Sequence, residues 1–422
     1  MLDGLESAGG AQREKARAEE ARERKARGEE VRDGEARANE GKLRKFVVPE
    51  FIFGEGARLL VGQYARNFGA RKVLLVTDPG VREAGWAGEA AESLEAAGLA
   101  QVVFDGVSSN PKSSEVMAGA AVYLAEGCNL IVAVGGGSPM DCAKGIGIVS
   151  TNRDHILAFE GVDQVPAPMP PLICVPTTAG TAADVSQFVI ISNEQERVKI
   201  AIVSKAVVPD LALIDPVTLT TKPASLTAST GFDALTHAIE AYVSLAHSPI
   251  TDVHALEGIR LITAHLIDSI RSPKDLALRS KVMLGSLQAG MAFSNASLGA
   301  VHAMAHSLGG LLDSAHGECN AILLEYVIAY NFPVAAERYR SIGEAMGLAL
   351  GSLSPGEQEK AILGELRRLR AAAGIRQTLG DVGVRRGDIP ELARKAMKDA
   401  CMVTNPRRPT RQDIEEIYEQ AL

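Results

Sequence analysis

The sequence predicts an α/β region followed by an all-α region, on three observations. Short apolar runs alternate with helix-like stretches from Lys45 to about Pro216. These runs are apolar throughout, which is typical of parallel strands that are buried on both faces. After Pro216 the strand-like runs stop, and the helical period continues almost to the end of the chain. We expect a Rossmann-like parallel sheet domain over residues 45–216 and an all-helical domain over residues 217–422.

The elements follow in chain order. The opening "KFVVPEFIFGEG" is predicted to be extended, broken by Pro49 and closed by a glycine turn. Further strands are predicted at "KVLLVTD" (72–78), "QVVFDGV" (101–107), "NLIVAVGGG" (129–137) and "PLICVPTT" (171–178). Helices are predicted between them at "AGEAAESLEAAG", "SSEVMAGAAVYLAEG" and "PMDCAKGIGIVST", and later at "DALTHAIEAYVSLA", "DVHALEGIRLITAHLIDSI" and "QEKAILGELRRLRAAAG".

Residues 1–44 differ in composition from the rest of the chain. They consist mostly of Arg, Glu, Lys, Ala and Gly, with as many acidic as basic side chains. Large apolar residues at heptad spacing are absent, so the segment does not predict a coiled coil. It can bury too little apolar area to offset the entropy cost of ordering. We expect a charged tail that is disordered or forms a solvated helix.

Composition bounds the function classes. A net charge of −8 and an aromatic content of 4% disfavour nucleic-acid binding. Five scattered cysteines without a C-x-x-C pair predict reduced thiols in an intracellular protein. No apolar run reaches the roughly 18 residues of a membrane span, and no secretory signal opens the chain. We expect a cytoplasmic protein with neither a nucleic-acid nor a membrane partner.

A glycine turn follows the strand at 129–137. In "NLIVAVGGGSPMDCAKG", Ser138 is predicted to cap the next helix, with Pro139 at its first position and Asp141 at its third. Such a turn presents backbone N–H groups at the positive end of a helix, which suits a pyrophosphate. The pattern is not G-x-G-x-x-G, and a plain tight turn between strand and helix is the alternative.

Two further strand ends carry polar side chains. Thr177, Thr178 and Thr181 offer hydroxyl groups after the strand at 171–178, although threonine-rich turns are common. Asp78 ends the strand at 72–78, where a carboxylate can bind the adenosine ribose and repel a 2′-phosphate. An ordinary Asp-Pro-Gly turn is the alternative for Asp78.

Histidines are concentrated in "VHAMAHSLGGLLDSAHGEC". His302 and His306 are four residues apart in a helical pattern and therefore project from one face. His316 follows a Gly309-Gly310 pair that we expect to break the helix, which places His316 in a separate turn.

A second polar pair lies upstream in "STGFDALTHAIEAY". Asp233 and His237 are four residues apart and share a helix face. One carboxylate and three or four imidazoles suit Fe²⁺, Zn²⁺ or another divalent metal, and helix pairs can present such donors to a shared core. Polar pairs that only satisfy one another in a helical core are the alternative.

Together these residues resemble the iron-containing (group III) alcohol dehydrogenase family, from about Phe46 to Leu422. The resemblance lies in "FGEG", "VTD", "SNP", "AVGGGSPMD", "PTTAGTAADV", "STGFDALTHAIEAY", "GMAFSNASLGAVHAMAHSLGG", "HGECNAILL" and "NPRRPTRQDIEEIYEQAL", in that order. Many members carry Pro-His where this chain has Glu325-Tyr326, a difference that bears on the pocket wall or on an interface.

The resemblance implies a metal, Fe²⁺ or a substitute such as Zn²⁺, held by Asp233, His237, His302 and His316. It places His306 outside the coordination shell, beside the nicotinamide and the substrate. It also implies contacts to NAD from a set of polar residues, namely Asp78, Asn110, Gly136, Gly137, Ser138, Asp141, Thr177, Thr178 and Lys199. Homodimers or larger homo-oligomers are usual for the family.

The implied activity is hydride transfer between NAD(H) and a small primary alcohol or diol and its aldehyde. The metal would act as a Lewis acid on the alcohol oxygen, and His306 would relay the proton to solvent. Two alternatives remain at this point. One is a regulatory or binding member of the same fold with weak catalysis, and the other is a related glycerol-type dehydrogenase or sugar-phosphate cyclase.

Overall fold

A computed structural model describes residues 45–196, 198–312 and 316–422. Residues 47–422 form one compact unit. The predicted tail at 1–44 lies outside the described residues. The predicted division of the remainder at residue 216 stays a prediction, because the helices and the sheet belong to the same compact unit.

A six-stranded parallel sheet occupies the first part of this unit; the parallel sheet was predicted, but the strand at 211–214 was not. Its strands lie side by side in the order β1-β9-β6-β4-β2-β3. Their bounds are β1 Glu50–Phe53, β2 Lys72–Val76, β3 Ala100–Phe104, β4 Leu130–Gly135, β6 Leu172–Pro176 and β9 Leu211–Ile214. Successive residues of β2 point into different cores, Leu74 and Val76 into one and Val73 and Leu75 into the other. Both faces of the sheet are therefore covered.

Helices connect the strands. They are α1 Val61–Asn67, α2 Pro79–Glu83, α3 Trp86–Ala96, α4 Ser113–Ala125 and α5 Gly137–Asn152. Helix α5 begins two residues earlier than Ser138 capping requires. Gly136 is the N-cap, so the prediction of Ser138 as cap and Asp141 as third residue is wrong. The Ser138 hydroxyl donates instead to the carbonyl of Ser109, and Ser138 does not cap the helix.

A second, three-stranded sheet was not predicted. It has the order β5-β8-β7, with β5 Gly161–Val162, β7 Phe188–Asn193 and β8 Val198–Val203. Strands β7 and β8 form an antiparallel pair in which Ser192 lies opposite Lys199. This pair brings Lys199 towards the helical part, because β8 packs against the helix that carries His302.

The described residues after Ile214 contain no β-strand, as predicted. Their helices are α6 Ala224–Val243, α7 Pro249–Arg271, α8 Leu276–Ala296, α9 Ala300–Leu312, α10 His316–Ala345, α11 Pro355–Ala372, α12 Ile389–Ala396 and α13 Arg411–Ala421. Gly309 and Gly310 lie inside α9, so the predicted glycine break is wrong. His316 is the first residue of α10.

Helix α10 has the length and hydropathy of a membrane span, judged by these two properties alone. However, 61% of its most apolar window is buried inside the protein. It contains Pro333 and a non-helical residue at Ala335. Burial of this kind is typical of a core helix in a globular protein.

Candidate metal and nucleotide site

Three elements bring the predicted metal donors together. Asp233 and His237 lie one turn apart on α6, His302 lies on α9, and His316 begins α10. One donor atom each from Asp233, His237 and His302 lie within 4.8 Å of one another. Gly317 makes the approach of α10 to α6 possible, because a Cβ there would lie 2.2 Å from the carbonyl oxygen of Ser229.

The distances fit tetrahedral coordination. Asp233 Oδ1 lies 3.6 Å from His302 Nε2 and 3.6 Å from His316 Nε2. Donors bound about 2.1 Å from one metal in a tetrahedron lie about 3.4 Å apart. The imidazole rings of His237 and His302 stack with their centroids 4.4 Å apart. The set has the hard oxygen and borderline nitrogen donors that divalent iron and zinc accept.

Asn320 shows that the donor atoms face a common point. Its amide Nδ2 lies 2.7 Å from Asp233 Oδ1, 3.1 Å from His302 Nε2 and 3.3 Å from His316 Nε2. One buried amide nitrogen therefore contacts three of the four predicted donors, and the Oδ1 of the same amide has no hydrogen-bond partner within the described part of the chain. The spacing of the histidines gave no signal for Asn320, although it lies one turn after His316 on α10.

The buried charges in this cluster shift one another's pKa values. Burial alone would raise the pKa of Asp233, but the imidazoles of His237, His302 and His316 outweigh burial and lower it. Burial lowers the pKa of His237 to about 3. For His302 burial is outweighed by hydrogen bonds to Asp233 and Glu240, which raise its pKa to about 9. A cation bound between these donors would displace the proton held on His302.

Glu240 orients His302. Its Oε2 lies 2.6 Å from His302 Nδ1, and its Oε1 accepts a hydrogen bond of 2.7 Å from the backbone N–H of Val301. With Nδ1 bound to a carboxylate, Nε2 is left to face the donor cluster, which is the usual support of a metal-binding histidine. Glu240 was not predicted as a site residue, although Glu240 follows His237 by three residues on the same helix.

His306 stands beside the donor cluster and has a different partner. Its Nδ1 lies 2.8 Å from Asp399 Oδ2, and its ring stacks on that of His316 with centroids 5.2 Å apart. Burial acts to raise the pKa of Asp399, but His306 outweighs it and lowers that pKa. Asp399 was also missed, because it lies 93 residues from His306 in the chain. The pair leaves Nε2 of His306 available for proton exchange.

The glycine turn lies against the threonine turn. A Cβ on Gly136 would lie 3.1 Å from Thr178, and a Cβ on Gly137 would lie 2.8 Å from Thr181. Thr177 donates its backbone N–H to the carbonyl of Gly135, and its buried hydroxyl has no hydrogen-bond partner among the residues that the structure describes. The predicted cofactor residues of these two turns are therefore adjacent, and only glycine leaves room between them.

Asp78 lies at the same edge of the sheet. Val76 pairs with Ala133, so Asp78 stands level with Gly135 at the carboxyl ends of β2 and β4. Its Oδ1 also accepts a hydrogen bond of 2.9 Å from the N–H of Val81, which makes Asp78 the N-cap of α2. Both readings of Asp78, ribose partner and turn residue, are compatible with this position.

Lys199 connects Asn110, one of the residues predicted to bind the nucleotide, with the helix that carries the metal donor His302. Its Nζ donates a hydrogen bond of 2.7 Å to Asn110 Oδ1. A Cβ on Gly309 of α9 would lie 2.9 Å from Lys199 Nζ, so the lysine passes directly over that helix. Burial raises the pKa of Asp141 to about 7, although the positive charges of Lys144 and Lys199 act to lower it. The sheet edge and the histidine helices thus meet at Lys199.

Glu325 faces away from these residues. It forms ion pairs with Arg367 and, at 3.5 Å, with Arg370, both on α11. Its side chain is 9% exposed. Glu325, one of the two residues that differ from the family pattern, therefore holds α10 against α11.

Sequence profiles of one family match both parts of the chain. The profile described as iron-containing alcohol dehydrogenase matches residues 49–216, and the profile described as Fe-containing alcohol dehydrogenase family, C-terminal, matches residues 227–422. Among curated relatives, 1,3-propanediol dehydrogenase of Citrobacter freundii is 43% identical over 89% of this chain and 98% of its own length. Lactaldehyde reductase of Escherichia coli K12 is 39% identical over 87% of this chain and 97% of its own length.

Solved structures agree. A crystal structure of 1,3-propanediol oxidoreductase superposes with a TM-score of 0.88 at 42% identity, covering 90% of this chain and all 100% of the other. Sulfoacetaldehyde reductase from Bifidobacterium kashiwanohense, in complex with NAD⁺, superposes with a TM-score of 0.80 at 27% identity, covering 90% and 99%. Taken with the two profile matches, these similarities place the chain in the iron-containing alcohol dehydrogenase family.

Proposed function

We propose that this chain is a metal-dependent dehydrogenase that transfers a hydride between NAD(H) and a small primary alcohol or diol and its aldehyde. One observation carries the proposal. A cluster of one carboxylate and three imidazoles lies beside His306, and Lys199, which passes over the helix that carries His302, hydrogen-bonds Asn110 of the predicted nucleotide set. The curated relatives with alcohol, diol and aldehyde substrates support the same reaction class.

The metal would be held by Asp233, His237, His302 and His316. When bound, Fe²⁺ or a substitute such as Zn²⁺ would supply Lewis acidity towards the alcohol or carbonyl oxygen. The chain's own part is to keep the donors in their binding forms. Glu240 holds the tautomer of His302, and burial keeps His237 neutral. Neutral imidazole and ionised carboxylate are the forms that coordinate a cation.

His306 is the proposed proton relay. Asp399 accepts the Nδ1 proton of His306, so Nε2 can accept a proton released by the substrate. Imidazole is the side chain most often used as a general acid or base. Its ring stacks on that of His316, which places the relay next to the donor cluster.

The nucleotide would lie along the carboxyl edge of the large sheet. The N–H groups at the start of α5, next to Gly136 and Gly137, would hold the pyrophosphate of NAD. Thr178 and Thr181 border the turn, and Lys199 with Asn110 would hold the end nearest the histidines. Asp78 at the end of β2 would bind the adenosine ribose. The remaining residues of the proposed set are Ser138, Asp141 and Thr177.

We also propose that the chain is a cytoplasmic homo-oligomer. Its five cysteines are buried and form no disulfide. Large apolar side chains are exposed around the connection between α6 and α7, namely Leu245, Ile250, Val253 and Val403. Leu245 and Val403 belong to neighbouring segments, because the N–H of Leu245 donates to the carbonyl of Thr404. An exposed apolar area of this kind suits a contact between subunits.

A substrate panel tests the function. The protein is reconstituted anaerobically with Fe²⁺ and, in parallel, with Zn²⁺, and NADH absorbance is followed with short alcohols, 1,2-diols, 1,3-diols and their aldehydes. We expect turnover with at least one alcohol–aldehyde pair that depends on added metal. Nucleotide and metal binding without turnover of any pair would favour a regulatory member of the fold.

A further inference from the structure

A small cavity lies next to the threonine turn. We call it the Lys222 cavity; the lining residues that matter here are Thr178, Leu219, Lys222, Thr227, Thr230 and Arg279. Thr178 is also the residue that packs against Gly136 of the glycine turn. The cavity therefore adjoins the place proposed for the nucleotide.

The cavity is lined by two cationic side chains and no carboxylate. The Arg279 side chain is buried, and its guanidinium donates only to neutral oxygens: Nε to the carbonyl of Pro273 at 2.8 Å and Nη1 to the Thr227 hydroxyl at 3.0 Å. Its Nη2 has no hydrogen-bond partner among the described residues. A buried cation is normally paired, so Arg279 and Lys222 leave positive charge at the cavity that no carboxylate among its lining residues offsets.

Lys222 lines the cavity and belongs to a segment that is tied to the helices following Asp78. Its neighbour Thr221 accepts a hydrogen bond of 3.0 Å from Trp86 Nε1, which ties this segment to the start of α3. Asp78 caps α2, the helix that packs against α3. Burial lowers the pKa of Lys222, and the charge of Asp78 partly offsets that effect. No described residue forms an ion pair with Lys222 within 4 Å, so Asp78 acts on it through space.

We propose that Lys222, supported by the positive charge of Arg279, determines cofactor specificity together with Asp78. This inference rests on the proposed use of NAD. With Asp78 present, its carboxylate repels a 2′-phosphate and offsets the charge of Lys222. With Asp78 removed, Lys222 is left as an uncompensated cation beside the adenosine ribose, and it attracts the 2′-phosphate of NADP. Cofactor choice is then set by the pair and not by Asp78 alone.

The test measures binding of 2′,5′-ADP, the fragment of NADP that carries the 2′-phosphate, by titration calorimetry on the full chain. Asp78→Ser removes the charge and keeps a good helix cap. We expect Asp78→Ser to tighten 2′,5′-ADP binding roughly tenfold or more, as one charge-assisted hydrogen bond would. Adding Lys222→Met should abolish most of that gain. Adding Lys205→Ala, which removes an exposed lysine outside the cavity, should leave it intact.

Two results would overturn the inference. If Asp78→Ser/Lys222→Met binds 2′,5′-ADP as tightly as Asp78→Ser, Lys222 has no part in specificity. If Asp78→Ser gives no gain while its melting temperature is unchanged, Asp78 serves only as a helix cap. Titration of the unmodified protein with NAD⁺ distinguishes these two results from a failure of the proposed function. Absence of NAD⁺ binding there refutes the proposed function and this inference with it.

Discussion

Glu240 and Asp399 each bind one ring nitrogen of a histidine and so decide which nitrogen faces the site. Glu240 acts on His302, a proposed metal ligand, and Asp399 acts on His306, the proposed relay. Two neighbouring histidines of one helix are thereby oriented in the same way, each by a carboxylate that is distant in the chain. Substitutions of these two carboxylates and of His306 test the arrangement.

Replacing Glu240 with Gln should weaken metal binding. The variant loses the negative charge that orients His302 and raises its basicity, and loss of such a partner typically costs 10- to 100-fold in metal affinity. Competition against a chelator of known affinity measures this. Glu257→Gln is the control, because Glu257 pairs with Arg260 on the exposed face of α7. Equal metal affinity in Glu240→Gln and the control would contradict the role given to Glu240.

Replacing His306 with Ala, or Asp399 with Asn, should leave the metal in place and slow turnover. Loss of a general acid or base costs roughly 10²-fold or more in rate. Asp399→Asn keeps the cap on the 400–404 turn, where the Asp399 side chain accepts from Cys401, so the fold should persist. Metal analysis and kcat are measured on the same samples. Loss of metal from His306→Ala would mean that ligand and relay have been confused.

The sequence predicted part of this site for a clear reason. Asp233 and His237, like His302 and His306, are spaced by one helical turn, and that spacing can be read directly. Asp399, Glu240 and Asn320 were missed because they act through contacts between helices. Glu240 and His302, for example, are 62 residues apart. No periodicity within one element reveals such a pair.

Among the elements, the glycine turn at 135–137 is the proposed binding site for the pyrophosphate of the nucleotide. The sequence predicted the turn correctly after β4 but put the helix start two residues too late. The reason is that Gly136, with no side chain, takes the capping position, while Ser138 hydrogen-bonds to a different strand connection. Fine boundaries of this kind depend on the neighbouring loop.

Gly137→Ala should weaken NAD⁺ binding. Its Cβ would lie 2.8 Å from Thr181, so the two turns must separate where the pyrophosphate is proposed to bind. We expect the Kd for NAD⁺ to rise roughly tenfold or more, with a lower melting temperature. Gly364→Ala is the control, because Gly364 lies in α11 with nothing near its missing Cβ, and the change should stabilise the protein slightly. An unchanged Kd in Gly137→Ala would contradict the proposed cradle.

The missed hairpin of β7 and β8 explains why Lys199 could be assigned only by resemblance. Its connection, "EQER", lacks the Asn-Gly or Gly-rich pair that predicts a tight hairpin. The strands are also only partly buried, which weakens their apolar pattern. By contrast, β2, β4 and β6 were predicted correctly, because buried parallel strands are uniformly apolar.

At the scale of the whole molecule, the exposed apolar residues around the α6–α7 connection predict self-association. Val403→Asp places a charge in that area and should reduce the number of subunits measured by analytical ultracentrifugation. Val162→Asp is the control, because Val162 is also exposed but lies on β5 of the smaller sheet. An unchanged assembly in Val403→Asp, with reduced assembly in Val162→Asp, would place the contact elsewhere.

The central claim is that one divalent metal, held by donors from three helices, makes the chain an NAD-linked dehydrogenase. The most direct test measures metal content and NAD⁺-dependent turnover on the same preparations of the unmodified protein and His302→Ala, both after anaerobic loading with Fe²⁺. We expect about one metal per chain and measurable turnover in the unmodified protein, and loss of both in His302→Ala. Full turnover with metal retained in His302→Ala would contradict it.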